Sequence, residues 1–307
     1  MKPLQQIRLP FVQGPAVPVA ALLEGGVPRW RLYRGDTKRV FRGILVEGHA
    51  DPALLETRIA GARALMRPGR FLSRATAALA YDIPLLREPR DLEVGAVRPM
   101  KPPERRGIRG HQVRAGALLE TPLEPLWLPS PAEIWALLAG AYPLEQVIMA
   151  GDFLISGRDR WAEPLCSIEE LTATARRFSG CSGSAKLVAA LPRLRTGVES
   201  PAESLTRLLI ENAGLPTPQT CCSVPVDGRV LYADLGYPEW RIAIEYDGVY
   251  HQQGGVEQRR LDNSRREAMI DAGWRVLTLT ALDLRDPSAF LRRLGKAIAA
   301  ARAVRGV

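Results

Sequence analysis

The sequence predicts an α/β protein of two domains, residues 1–196 and 197–307. Three observations lead there. Residues 197–307 read as a helix, three short apolar strands joined by tight turns, a helix, a strand and a helix, at a normal domain length. Residues 1–196 carry several helical stripes and fewer strand-like runs, which suggests a mixed, mainly helical domain. Charge divides the same way: residues 197–307 hold 14 Lys+Arg and 14 Asp+Glu, so the whole net charge of +9 lies in the first 196 residues.

Residues 1–30 are rich in Pro and Gly and read as irregular. Residues 39–46 read as one short strand. Residues 52–65 read as a helix with Leu55, Ile59 and Ala62 on one stripe, stopped by Pro68-Gly69. A second helix spans 72–81, with Ser73 as its cap. Residues 92–97 and 110–113 are strand-like. The basic, Pro-rich stretch between them reads as an exposed loop or hairpin connection. Ser130-Pro131-Ala132-Glu133 opens a helix through Leu138, and further helices fall at 144–153, 167–178 and 185–191. Residues 192–198 read as a linker.

Ser200-Pro201-Ala202-Glu203 is a helix start, with Ser at N-cap, Pro at N1 and Glu at N3. Gly214 closes that helix. Residues 219–224 form a strand, Asp227-Gly228 a hairpin turn, residues 229–236 the next strand and residues 240–246 a third. Residues 257–272 are helical. Residues 274–279 are apolar on both faces apart from Arg275, which predicts a central, buried strand. A last helix is marked by Phe290, Leu294, Ile298 and Ala301.

Composition excludes several classes. The chain is 46% hydrophobic, enough for sizeable cores. No run of ~20 uncharged apolar residues suggests a membrane span. The start, Met1-Lys2-Pro3-Leu4, lacks the apolar core of a secretory signal. Cys166, Cys181, Cys221 and Cys222 have no CxxC spacing, so reduced thiols in a cytoplasmic protein are expected rather than a zinc site. The basic excess suits nucleic acid, and equally an Arg-decorated surface.

Asp234, Glu245, Asp247 and His251 stand on or just beyond two neighbouring apolar strands. A carboxylate buried there without a partner costs several kcal/mol, roughly. Alternation puts Ala243, Glu245 and Asp247 on one face of their strand. Pairing through the Tyr237-Pro238 turn would let Asp234 and Glu245 converge. Two carboxylates, a carbonyl and waters suit Mg²⁺, which points to metal-assisted phosphodiester chemistry. Plainer roles are available to several of these residues. Glu203 can close a capping box on Ser200, Asp247-Gly248 can be a turn pair, and Arg265 can bond Asp262 at helical spacing. Trp240 and Trp274 read as packing residues.

Glu203, Asp234 in Tyr-Ala-Asp-Leu, and Ile-Glu-Tyr-Asp-Gly followed by His251 resemble the PD-(D/E)XK nuclease superfamily. With Asp262-Asn-Ser-Arg265-Arg266 and residues 272–277, the set is most similar to the branch related to very-short-patch-repair endonucleases, over about residues 198–305. The resemblance implies a restriction-endonuclease-like α-β-β-β-α-β-α core and a Mg²⁺- or Mn²⁺-dependent DNA endonuclease. It makes Asp234 and Glu245 metal ligands and has Glu203 complete the site. His251 would assist the attacking water or the leaving group, and Arg265 would supply positive charge to the transition state. Asp247 replaces the lysine of the superfamily pattern, which leaves the general base unassigned. A non-catalytic DNA-binding regulator on the same fold is the alternative, and a repair nuclease acting on mismatched or branched DNA differs only in substrate.

Upstream, Val40-Phe41-Arg42-Gly43-Ile44, residues 68–78 and Ser130-Pro131 resemble actinobacterial proteins that join an AbiEi-type antitoxin-like region to such a nuclease-like domain. In that family a winged helix usually precedes these motifs, and residues 1–35 do not read as a full one. The resemblance implies a DNA partner for the basic domain, no membrane, and leaves a cognate toxin or a homodimer open.

Overall fold

The structure, a computed structural model, describes residues 16–33, 35, 37–119, 127–157, 163–248 and 255–305. The architecture is mixed α/β, with two three-stranded sheets and one four-stranded sheet among the described residues. The chain packs as two compact units. One is Met1–Ala141 with Ala173–Ser184, and the other is Tyr142–Thr172 with Ala185–Val307. Residues 142–172 and 185–196 therefore pack with the C-terminal elements.

The first unit begins with β1 (Ala16–Pro18), α1 (Val19–Glu24), β2 (Thr37–Phe41) and β3 (Ile44–Glu47), in sheet order β1-β3-β2. The single strand expected at 39–46 is a hairpin. Phe41 pairs with Ile44 across Arg42-Gly43, and Gly43 takes φ +79°, a conformation that glycine adopts without steric cost. The irregular reading of 1–30 missed β1 and α1, whose Leu22 packs with Val27, Leu32 and Leu45.

Next come α2 (Leu55–Arg63), β4 (Arg70–Leu72), α3 (Arg74–Leu79), β5 (Leu92–Val97), β6 (Ile108–Val113) and α4 (Pro131–Ala139). The second sheet runs β4-β5-β6, and β5 is parallel to β6. The basic stretch between them is therefore a crossover and not a hairpin. Ser130 and Glu133 form the expected capping box on α4. Ser73 occupies the N-cap of α3, but its side chain makes no cap bond. Its hydroxyl lies 2.6 Å from His111 Nε2 instead.

Helices α5 (Leu144–Ser156), α6 (Ile168–Arg177) and α7 (Ser184–Ala190) follow, with the unit boundary falling inside α6 and at the start of α7. The second unit continues through α8 (Pro201–Asn212), β7 (Gln219–Val226), β8 (Arg229–Tyr237), β9 (Ile242–Asp247), α9 (Gly255–Asp271), β10 (Arg275–Thr280), α10 (Ala281–Arg285) and α11 (Ser288–Arg305). Asp227 and Gly228 both take positive φ, as a tight two-residue hairpin turn demands.

The sheet order is β10-β9-β8-β7, with β10 parallel to β9. The expectation of a central β10 is corrected. It is an edge strand, in which Leu277 and Leu279 are buried while Arg275 is exposed. One face of the sheet packs Leu235, Ile242 and Ile244 against Ile210 of α8 and Phe290, Leu294 and Ile298 of α11. The other packs Ala233 and Ala243 against Met269 of α9 and Trp274. Both tryptophans read as packing residues do pack, since Trp240 lies against Tyr237 with the Arg302 guanidinium 5.0 Å from its ring.

Sequence gave no warning of an ionic lock on α8. Asp152 of α5 and Arg207 of α8 are both fully buried and pair at 2.7 Å. Asp152 also accepts from the Ser204 hydroxyl at 2.6 Å and the Arg195 N–H at 2.8 Å. Arg207 reaches Glu211 at 2.8 Å. Removing one member of such a pair strands the other in a dry interior, at a cost on the order of 3–5 kcal/mol. Asp152→Ala is expected to lower unfolding free energy by about that much in urea titrations. A loss below ~1 kcal/mol would show that the pair does not hold α8.

Candidate functional site

The β8–β9 ladder runs from Tyr237↔Ile242 to Leu235↔Ile244 and stops. One step further, the Tyr246 N–H donates to Asp234 Oδ2 at 2.7 Å. On the other side of β8, Thr220 pairs with Leu235 and Cys222 with Ala233, and the step between them is skipped. Cys221, at that step, has φ +46°. Ala233 belongs to the same core cluster as Ala243, whereas Leu235 belongs with Ile244. Ala243 and Ile244 are consecutive on β9 and face opposite ways. The β7–β8 ribbon therefore changes face at Asp234, where strict alternation fails.

Three acids meet electrostatically at this break. Glu245 is 7% exposed. Its Oε2 is paired with Arg265, which also donates to the Tyr232 carbonyl at 3.3 Å. Its Oε1 is buried with no hydrogen-bond partner among the described residues. Burial first, and then the Asp234 charge, push the Glu245 carboxyl up to about 7, against the pull of Arg265 and Arg266. Glu203, 5% exposed, is pushed up to about 8 by burial and then by the same Asp234 charge. Asp234 is thus a shared neighbour of two buried glutamates.

The capping role read for Glu203 is half present. Its N–H donates to Ser200 Oγ at 3.3 Å, but its Oε2 accepts from the Glu199 N–H at 3.0 Å rather than from Ser200. Asp247 lies at the exposed end of β9. His251 lies outside the described residues, as does the side chain of Asp262, so the Arg265–Asp262 bond stays untested. Sequence reasoning gave no role to Arg266, whose charge acts on Glu245 and whose Nε is buried without a hydrogen-bond partner among the described residues. Its one sequence signal was the doublet with Arg265.

Among the described residues, no group of three or more His, Cys, Asp or Glu side chains stands ready as a metal cage. Mg²⁺ can take as few as one or two carboxylates and keep several waters; here Glu245 Oε1 is buried with no hydrogen-bond partner among the described residues, and Asp234 is its charged neighbour. All four cysteines are unbridged. No helix among the described residues is long and apolar enough to cross a membrane.

No family model matches the chain. It is 28% identical over 137 residues to two uncharacterised proteins of Mycobacterium tuberculosis, MT2308 of strain CDC 1551 and Rv2248 of strain H37Rv. The match covers 44% of this chain and 49% of each relative, so the chain spans about half the length of the curated relatives it matches. A solved structure, RV2827C protein from the same species, aligns at TM-score 0.35 and 17% identity over 61% of this chain and 80% of its own.

A carboxyl whose folded value is raised above the ordinary 4.5 favours the fold while protonated and disfavours it once charged. Stability from Glu203 and Glu245 is therefore full below about pH 4.5 and lost as pH rises through about 7 and 8. Thermal melts across that range are expected to fall more steeply for the wild type than for a Glu203→Gln, Glu245→Gln double variant. Millimolar Mg²⁺ should restore the wild type alone at pH 8. Parallel profiles would contradict the coupling.

Proposed function

We propose that residues 198–305 form a PD-(D/E)XK-type nuclease core of the very-short-patch-repair-related branch, acting as a Mg²⁺-dependent DNA endonuclease. The carrying observation is that two glutamates are buried beside the Asp234 charge, one of them with a carboxylate oxygen that has no hydrogen-bond partner among the described residues; burial first, and then Asp234, raise both. Buried acids whose ionisation is opposed by burial and by a neighbouring charge are a cost to the fold, and such groups cluster at functional sites. The order α8-β7-β8-β9-α9-β10-α10-α11, with Glu203, Asp234 and Glu245 on α8, β8 and β9 and only the short α10 added to the expected series, supports the reading.

Asp234 and Glu245 would hold the ion, and when bound it would polarise the scissile phosphate and favour an ionised water. Glu203 keeps Oε2 on the Glu199 N–H, which leaves Oε1 to orient water. Arg265, which lies against Glu245, would offer its guanidinium to the phosphate oxygens. Arg266, whose charge also acts on Glu245, would add to that charge.

One observation favours a regulator instead. Asp247 stands where the superfamily places lysine, and Arg265 already neutralises Glu245. In that reading the protein binds DNA in a salt-sensitive manner and cuts nothing.

Supercoiled plasmid incubated with the protein and Mg²⁺ or Mn²⁺ should be nicked or linearised, and EDTA should stop it. Asp234→Asn should lower the rate by about 100-fold or more, the scale of losing a charge-stabilising group, while leaving DNA retention on a filter unchanged. Equal residual cleavage by wild type and Asp234→Asn would overturn the nuclease. Tight binding with no metal-dependent cleavage would favour the regulator.

A further inference from the structure

The first unit contains a second site unconnected with these carboxylates. It is a cavity of about 220 Å³ between β6, α4 and the turn after α6. That is far more than the ~10–15 Å³ of probe-sized space one water needs, and less than the ~300 Å³ at which drug-sized pockets begin. Its wall includes Arg74, Arg98 and Arg114, with His111 and Gln112 between them and Ser182 at one side. Among the described residues that line it, none is Asp or Glu.

Three guanidiniums around a small space need an account. Arg74 is paired at 3.7 Å with the buried Glu93, which lies behind the wall and not in it. Arg114 donates to the Arg177 carbonyl at 2.8 Å, a neutral acceptor that fixes the side chain without cancelling its charge. Leu137 and Phe178 form an apolar part of the lining, so solvent screens the cations less than on open surface. The unit as a whole carries 23 Lys+Arg against 13 Asp+Glu, while the other unit is near neutral at 19 against 20.

We propose that this cavity binds a phosphoryl group, either a phosphate monoester or the backbone of a nucleic acid. Guanidinium presents paired N–H donors that match phosphate oxygens, and the volume suits one such group with a small appendage. The state of His111 agrees. Burial, then Arg74 and further off Arg109, push its imidazole down to about 3, so it stands neutral beside the cations, held by Ser73. Its Nε2 shares a hydrogen with the hydroxyl that would otherwise cap α3, an arrangement that fixes the ring at the cavity wall.

The test uses the full chain and three probes: inorganic phosphate, a 5′-mononucleotide and a short DNA duplex. Calorimetry and the His111 ring resonances, assigned with His111→Gln, are the readouts. Phosphate or mononucleotide should bind with one site per chain and move the His111 signals. An Arg98→Gln, Arg114→Gln variant should bind at least tenfold more weakly while melting like the wild type. If the source is a monoester, the mononucleotide binds and the duplex does not displace it. If the source is nucleic acid, the duplex displaces phosphate and its affinity falls steeply with salt. No binding by any probe, or binding that neither moves His111 nor responds to the double variant, overturns the proposal. Because the readouts ignore cleavage and Asp234, this result is independent of whether the protein is a nuclease.

Discussion

The second unit is organised around a charge conflict. Asp234 sits where the β8–β9 ladder ends, and its carboxylate disfavours ionisation of both Glu203 and Glu245. Burial and the Asp234 charge both oppose ionisation of Glu203 and of Glu245, and each lost hydration shell adds to the cost. The fold tolerates this because each acid is fixed by something else. Glu245 is fixed in β9 and partly neutralised by Arg265, Asp234 is fixed by the Tyr246 amide, and Glu203 by the rigidity of α8. That rigidity comes from the next residue along, since Ser204 and Arg207 are tied to the buried Asp152 of α5. A structural ion pair, which repays its own desolvation only through good geometry, thus places a carboxylate one position away in an unfavourable setting.

The C-terminal half of the fold was largely legible because its signals are local. Ser200-Pro201 and Gly214 bracket α8, Asp227-Gly228 fixes the β7–β8 hairpin, and Phe290, Leu294 and Ile298 mark the buried stripe of α11. The errors came from features that depend on a partner. An apolar run does not say whether a strand has one neighbour or two, so β10 read as central. A Gly in the middle of residues 39–46 looked tolerable in a strand until the pairing of Phe41 with Ile44 required a turn there. Residues 98–109 could be a loop of either hand of pairing, and only the β5–β6 register makes them a crossover.

The site was legible in its residue types and not in its geometry. Acid in a Val/Ile-type strand flagged Glu245 and Asp234, and the doublet at 265–266 flagged one of two arginines. What the sequence could not carry was the change of face at Asp234. Alternation counted from Val230 and Tyr232 places Asp234 by parity, yet Ala233 and Leu235 lie in opposite cores. The disruption originates in β7, where Cys221 takes a left-handed backbone, and a residue on a neighbouring strand leaves no trace in the pattern of β8 itself. The Ser73–His111 pair was hidden for the same reason: a Ser at a helix start predicts a cap, and only the tertiary neighbour diverts it.

The replacement of lysine by Asp247 changes what chemistry the proposed nuclease could use. A lysine two residues past Glu245 would project from the same face of the same strand and could lose a proton. Here that position is an exposed acid, and the cation arrives from α9 as Arg265. A guanidinium stays protonated throughout the accessible pH range, so it can stabilise charge but cannot accept a proton from water. In the proposed nuclease, proton transfer would then fall to a carboxylate, to His251 or to solvent. Burial, and then the Asp234 charge, push the Glu203 carboxyl up to about 8, so in that reading it could serve as acceptor only in the fraction that is ionised.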